Sequence, residues 1–134
     1  MSDEIVAFEG RFQIWTYDVS HGVLLLRRNR TDACKQRVDI RFNDVWSLQI
    51  AAWAESIRVE QLPWSKADLS IPLIPDSEKL GLRLFRITTQ HWTGWIVAGC
   101  VSYHIDEGAI GDPSSIYKPG PLMKKLAQNG YALD

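Results

Sequence analysis

The chain has 134 residues, 46% of them apolar and 23% charged, with a net charge of −1 and six tryptophans. That length suffices to bury a core without disulfides or metals, so one domain is expected. The near-zero charge excludes a global attraction to nucleic acid or to an anionic membrane. Met1-Ser2-Asp3-Glu4 lacks the basic start and apolar run of a signal peptide, and no apolar stretch nears the roughly 20 residues that span a bilayer. A cytoplasmic protein with Cys34 and Cys100 as reduced thiols is expected.

Residues 5–61 are strand-rich. After a lead-in over residues 5–9 and a bend at Gly10, Arg11 to Arg28 reads as a β-hairpin whose turn is Ser20-His21-Gly22. Phe12, Ile14 and Thr16 point to one side and Trp15, Tyr17 and Val19 to the other, so both faces of this pair are expected to be covered. Residues 37–42 alternate cleanly, with Val38, Ile40 and Phe42 inward and Arg37, Asp39 and Arg41 outward. Asn43-Asp44 has turn chemistry. Residues 45–50 place Trp46, Leu48 and Ile50 on one face, residues 51–54 are open between strand and helical turn, and residues 56–61 form a strand with Ile57 and Val59 inward.

Residues 62–80 carry Pro63, Pro72 and Pro75 without a sustained period. They read as a crossover that drapes Leu69, Ile71, Leu73 and Ile74 over a sheet edge, or as a binding loop. Residues 82–105 form a second hairpin around residues 90–94. Trp95, Val97, Val101, Tyr103 and Ile105 share one face of its long last strand; Ile96, Ala98, Cys100, Ser102 and His104 share the other. Gly99 marks a bulge or a close backbone approach. Residues 106–134 hold a loop, a stiff Pro119-Gly120-Pro121 turn and a short helix over Leu122–Gln128, with Gly130 placed to stop it.

Three chemical constellations stand out. Arg27, Arg28, Arg30, Lys35, Arg37 and Arg41 crowd one stretch, opposed there only by Asp32 and Asp39. On adjacent strands they form either a patch for an acidic protein or small anion, or a sheet face with cross-strand ion pairs such as Asp39 with an arginine. Nucleic acid would need exposed aromatics among them, and Trp15, Tyr17, Phe42 and Trp46 read as core. Trp53, Trp64 and Trp92 fall outside the alternating pattern and are candidates for a protein-binding surface beside Arg27, Arg28, Arg30 and Arg37. His104 and Asp106 share a strand face and are the weak candidates for a metal or a His–carboxylate relay; one pair supplies too few ligands for zinc, so no metal or other cofactor is expected. His21 and His91 read as turn residues. Ser20 and His21 are adjacent, so their side chains should diverge, and no Gly-x-Ser-x-Gly elbow or phosphate loop is present.

The runs Trp15-x-Tyr17-x-Val19-Ser20-His21, Leu24-Leu25-Leu26-Arg27 and Val38-Asp39-Ile40-x-Phe42 resemble a family of small bacterial proteins to which no activity is attached. The likeness covers about residues 10–62 and implies a small bacterial cytosolic protein, with no cofactor or catalytic residue. The fold expected for residues 1–134 is mainly β: an antiparallel curled sheet, partly closed barrel or sandwich of about seven strands, with one short C-terminal helix. It is similar to a pleckstrin-homology-type barrel, although this helix is short for plugging a barrel end. The leading functional expectation is a non-enzymatic interaction module of immunity or adaptor type that binds another protein. A small-molecule or anion-binding β-barrel is the alternative, and an enzyme using His104 and Asp106 comes third. A homodimer through an exposed strand edge is a further partner expectation.

Overall fold

The computed structural model describes residues 3–67 and 80–109, together with the backbone of residues 124–128 and 131–133. The strands are β1 (Asp3–Asp18), β2 (Val23–Arg28), β3 (Arg37–Asn43), β4 (Ser47–Gln49), β5 (Trp53–Leu62), β6 (Arg83–Thr89), β7 (Thr93–Ala98), β8 (Cys100–Asp106), β9 (Lys124–Gln128) and β10 (Tyr131–Leu133). A single 3-10 turn covers Trp64–Lys66. All pairings are antiparallel, in the order β10-β9-β8-β3-β2-β1-β5-β6-β7-β4. Among the described residues no helix is long and apolar enough to cross a membrane.

The sheet curls but is not closed into a barrel. Its curl comes from two runs of chain that meet twice. β3 continues into β4 and β7 into β8, and the two runs stay bonded across the break: Trp46 N donates to Val97 O at 2.8 Å and Gly99 N to Asn43 O at 2.9 Å. Asp44, with φ of 55°, and Gly99 absorb the bend. A Cβ on Gly99 would lie 3.1 Å from that of Asp44, so the two runs approach closely here.

Curling brings distant strands together over one core. Phe42 on β3 meets Phe85 on β6 edge-on at 5.6 Å, and Phe8 on β1 meets Tyr103 on β8 at the same separation. Neither pair sits on neighbouring strands, so these rings meet across the interior. Leu24, Leu26, Val38, Ile40, Ile57, Val59 and Ile87 complete the packing. The opposite face of β5–β7 carries a smaller cluster of Leu82, Leu84 and Val97, on which Leu62, Trp64 and Trp95 pack.

The inward set of the last long strand differs from the expectation of one constant face. Ile96 and Ala98 join the main core before Gly99, and Val101 joins it afterwards, with Tyr103 and Ile105 packed against it. The bulge adds one residue and reverses parity. The same bulge, the brevity of β4 and the two terminal strands raise the strand number to ten. Over Lys124–Gln128, where the helix is predicted, the backbone is strand paired with β8. So short a helix is marginal on its own, whereas the β8 edge offers a ready ladder. Leu122, Met123, the Pro119–Pro121 turn and residues 68–79, with their apolar Leu69, Ile71, Leu73 and Ile74, lie outside the described residues.

Phe85→Ala should cost about 3–5 kcal/mol in urea unfolding, because the cavity opens in the middle of the interior. Tyr17→Ala, at a side chain 42% exposed, should cost less than about 1 kcal/mol. Equal losses at the two positions would contradict the placement of the core.

Candidate functional site

The basic stretch is engaged inside the fold. Arg27 is only 1% exposed; its Nε donates to Asp39 Oδ1 at 2.8 Å and its Nη2 to Oδ2 at 3.2 Å. The Trp15 ring roofs it, with the guanidinium carbon 4.6 Å from the centroid. Trp15 is free to do this because β1 bulges between Ile14 and Thr16. Arg37, 2% exposed, donates through Nε and Nη2 to the two Asp106 oxygens, each at 2.8 Å. Arg28 Nη1 donates to Glu9 O, Arg30 Nη1 to Glu107 O and Arg41 Nε to Asn43 Oδ1. Cross-strand ion pairing is therefore what this face displays.

The sheet register explains the pairing. Arg27 lies opposite Asp39 on β3, and Asp39 lies opposite His104 on β8, so all three form one row on the outer face. Arg37, Asp39, Ser102 and His104 are buried there with Arg27. Outward parity, read from the alternation of residues 37–42, places Arg37 and Asp39 correctly. It does not make them solvent-exposed. His104 and Asp106 share the face, but the Asp106 carboxylate is held by Arg37 and by the Gly108 N–H at 3.0 Å. No group of three or more metal-ligating side chains occurs among the described residues.

Trp53 and Trp92 come together, and Trp64 stands apart. Trp53 opens β5 and is 41% exposed. Arg11 lies over its ring at 5.1 Å, the His91 ring packs beside it at 5.5 Å, and Trp92 Nε1 donates to its carbonyl at 2.8 Å. Arg11 was not singled out by the sequence pattern, and His91 was read only as a turn residue. The register supplies the reason: Gln13 pairs with Trp53 and Arg11 with Glu55, which puts Arg11 on the same outer face as the indole. Trp64 sits on the 3-10 turn, its Nε1 donating to Leu82 O at 3.2 Å.

Beside this ledge the sheet opens into a cleft. Between Phe8↔Ile57 and Arg11↔Glu55 the β1–β5 register slips, which leaves Glu9, Gly10 and Ser56 outside the ladder. Gly10 has φ of 96° and Ser56 of 59°, left-handed values that are costly for a serine. The resulting hollow holds about 500 Å³ and is lined by Ala7, Glu9, Ser56, Arg58 and Thr88, among others. Ala7 and Thr88 flank Arg58 across the strands, and both are small enough to leave its guanidinium uncovered. Hydroxyls, one cation, one carboxylate and an adjoining indole make a contact surface. Comparison with known proteins gives no match: none to a family model, none to a curated protein and none to a solved structure.

Two sequence expectations need correction at the other hairpin end. Ser20 and His21 do not diverge: both fold onto Asp18. Ser20 Oγ donates to Asp18 Oδ1 at 2.8 Å, His21 Nδ1 lies 2.8 Å from Oδ2, and Ser20 Oγ and His21 Nδ1 are 3.2 Å apart. A turn wraps the three side chains around one carboxylate, so adjacency in sequence does not separate them. Tyr17 and Trp46, read as core, are exposed, Trp46 at 50%, because both flank this projecting turn. Trp46 Nε1 instead donates to Asp44 Oδ1 at 3.1 Å.

The Ser20 hydroxyl and, next, the His21 ring hold the Asp18 carboxyl below the usual carboxylate range. A depressed folded pKa gives stability that is complete above the unfolded value and is lost as pH falls through the folded one. NMR titration should therefore place the Asp18 midpoint below that of a free aspartate, and Ser20→Ala should raise it. A separate test concerns Gly108, where a Cβ would overlap the guanidinium of Arg37. Since that guanidinium is clamped by Asp106, Gly108→Ala should cost about 1–3 kcal/mol in chemical denaturation; an unchanged midpoint would mean that the clamp gives way.

Proposed function

We propose that the protein is a non-enzymatic interaction module, of adaptor or immunity type, that docks another protein on the outer face of β1–β5. The observation that carries this reading is the exposed Trp53 indole held between Arg11 and His91. Trp and Arg dominate binding hot spots because each combines a large contact area with a polar handle. Here the Trp53 ring already packs against Arg11 and His91, so less side-chain freedom is lost on docking. The cleft next to them adds Arg58 and hydroxyl groups for a polar rim.

Packing among the described residues also favours a surface function, since Phe42 meets Phe85 and Phe8 meets Tyr103 across the interior. The hollow lined by the core residues Phe12, Leu26, Ile57 and Trp92 holds only about 10 Å³. A ligand carried inside the curled sheet would need far more room, on the order of 300 Å³. The cysteines fit the cytoplasmic setting proposed for the module, since Cys34 and Cys100 are both free thiols.

A photo-crosslinking residue in place of Gln13, exposed and directly opposite Trp53 in the ladder, should trap one dominant protein from the host lysate, and the same residue in place of Lys35 should not. Arg11→Ala together with Trp53→Ala should lower that capture about tenfold or more, with the circular dichroism spectrum unchanged. Equal trapping at both positions, or capture that survives the double substitution, would overturn the proposal.

A further inference from the structure

The cleft beside the Trp53 ledge carries chemistry beyond a polar rim, and its side chains leave one face of the sheet. Ile57, Val59 and Ile87 belong to the core and Phe8 packs against it, so alternation turns Ala7, Glu9, Ser56, Arg58 and Thr88 outward. Ala7, Arg58 and Thr88 stand directly opposite one another in the ladder, and Glu9 and Ser56 rise from the slip beside them. Three adjacent strands thus set a carboxylate on β1, a guanidinium and a hydroxyl on β5, and a hydroxyl on β6, in that order across the cleft.

These groups are open. Glu9 and Arg58 are exposed, and Ser56 and Thr88 are half-buried. Arg27, Arg37 and Arg86 each hold a carboxylate, whereas among the described residues Arg58 and Glu9 form no ion pair with each other or with a neighbour. Opposite charges that share one hollow without closing on each other leave room for a group between them. The backbone adds a second observation. The slip takes two left-handed residues: β1 supplies Gly10, for which φ of 96° carries no strain, but β5 supplies Ser56 at 59°. Glycine is the ordinary residue for such a bulge conformation. A serine held there puts a hydroxyl on the cleft wall, and strain of this sort collects at ligand sites.

We propose that this cleft binds a free α-amino acid with a neutral polar side chain. The carboxylate pairs with the Arg58 guanidinium, whose planar fork matches two oxygens, and accepts from Ser56 Oγ. The ammonium donates to the Glu9 carboxylate. The side chain crosses one strand spacing, about 4.8 Å, to the Thr88 hydroxyl, a reach that suits glutamine. The volume of about 500 Å³ lies within that of ligand clefts, which run from about 300 to 1,000 Å³. Trp53 and Arg11 do not line the cleft, so this assignment and the docking proposal stand or fall separately.

The test titrates the full chain with L-glutamine and follows amide NMR shifts. Glutaramate, which lacks the ammonium, γ-aminobutyramide, which lacks the carboxylate, and inorganic phosphate serve for comparison. Glutamine should move the Ala7, Ser56, Arg58 and Thr88 amides in a saturable way and bind about tenfold or more tightly than either analogue. Glu9→Gln should erase the preference over glutaramate, and Arg58→Gln the preference over γ-aminobutyramide. Both replace exposed side chains, so both variants should keep the parent's unfolding temperature, which separates lost binding from lost folding. Arg86→Gln, at the neighbouring paired arginine, should leave the affinity unchanged. Ser56→Gly, which keeps the left-handed backbone and removes the hydroxyl, should weaken binding about threefold or more. Shifts centred on Trp53, no saturable shifts at all, tighter binding of phosphate than of glutamine, an analogue that matches glutamine on the parent chain, or full affinity in Ser56→Gly would each overturn the assignment.

Discussion

The buried pair between Arg27 and Asp39, roofed by Trp15, is the constraint on which the rest depends. Two charges are removed from water almost completely, a state tolerated only with good geometry. The two hydrogen bonds to one carboxylate and the indole above supply that geometry. They exist only in one register of β2 on β3. A slip of one residue would turn Arg27 into the interior and Leu26 out of it. Asp39 also faces His104, so the same register is passed on to β8. From there the chain is fixed: β8 continues back into β7, β3 continues into β4, and the sheet curls around Phe42 and Phe85.

With its cations tied down in this way, the face of β2, β3 and β8 has little left to offer a partner. The bulges leave it to β1 and β5 to present exposed chemistry. One bulge turns Trp15 over Arg27. Another removes Glu9, Gly10 and Ser56 from the ladder and hollows the surface beside Trp53. Irregularities in a strand thus do opposite things within the same element: one buries a charge, the other uncovers an aromatic and a cation for contact.

Much of the fold was legible in the sequence, and the reasons for the rest are physical. The alternation from Arg37 to Phe42 placed every side chain of β3 on its correct face, because a period of two has only two solutions. It could not tell that the outer face is itself covered, so Arg27, Arg37 and Asp39 read equally well as a patch or as ion pairs. Gly99 was visible as a bulge, but the reversal of facing beyond it requires knowing that exactly one residue is added. Trp46 and Tyr17 looked like core because apolar character marks a strand and not its burial. Residues 124–128 carry too few residues for propensity to decide against a free strand edge. The ledge of Arg11, Trp53 and His91 joins three distant segments, and only the pairing of Arg11 with Glu55 and the approach of the β6–β7 turn bring them together.

The most direct measurement of the central claim is a double-mutant cycle on Arg27 and Asp39, read by urea unfolding of Arg27→Ala, Asp39→Ala and the two combined. Each single substitution strands a buried charge and should cost about 3–5 kcal/mol. The combined variant should lose much less than their sum, leaving a coupling of about 2 kcal/mol or more. Losses that add to within about 0.5 kcal/mol would mean that the two side chains act independently, and that something other than this pair sets the register of the sheet.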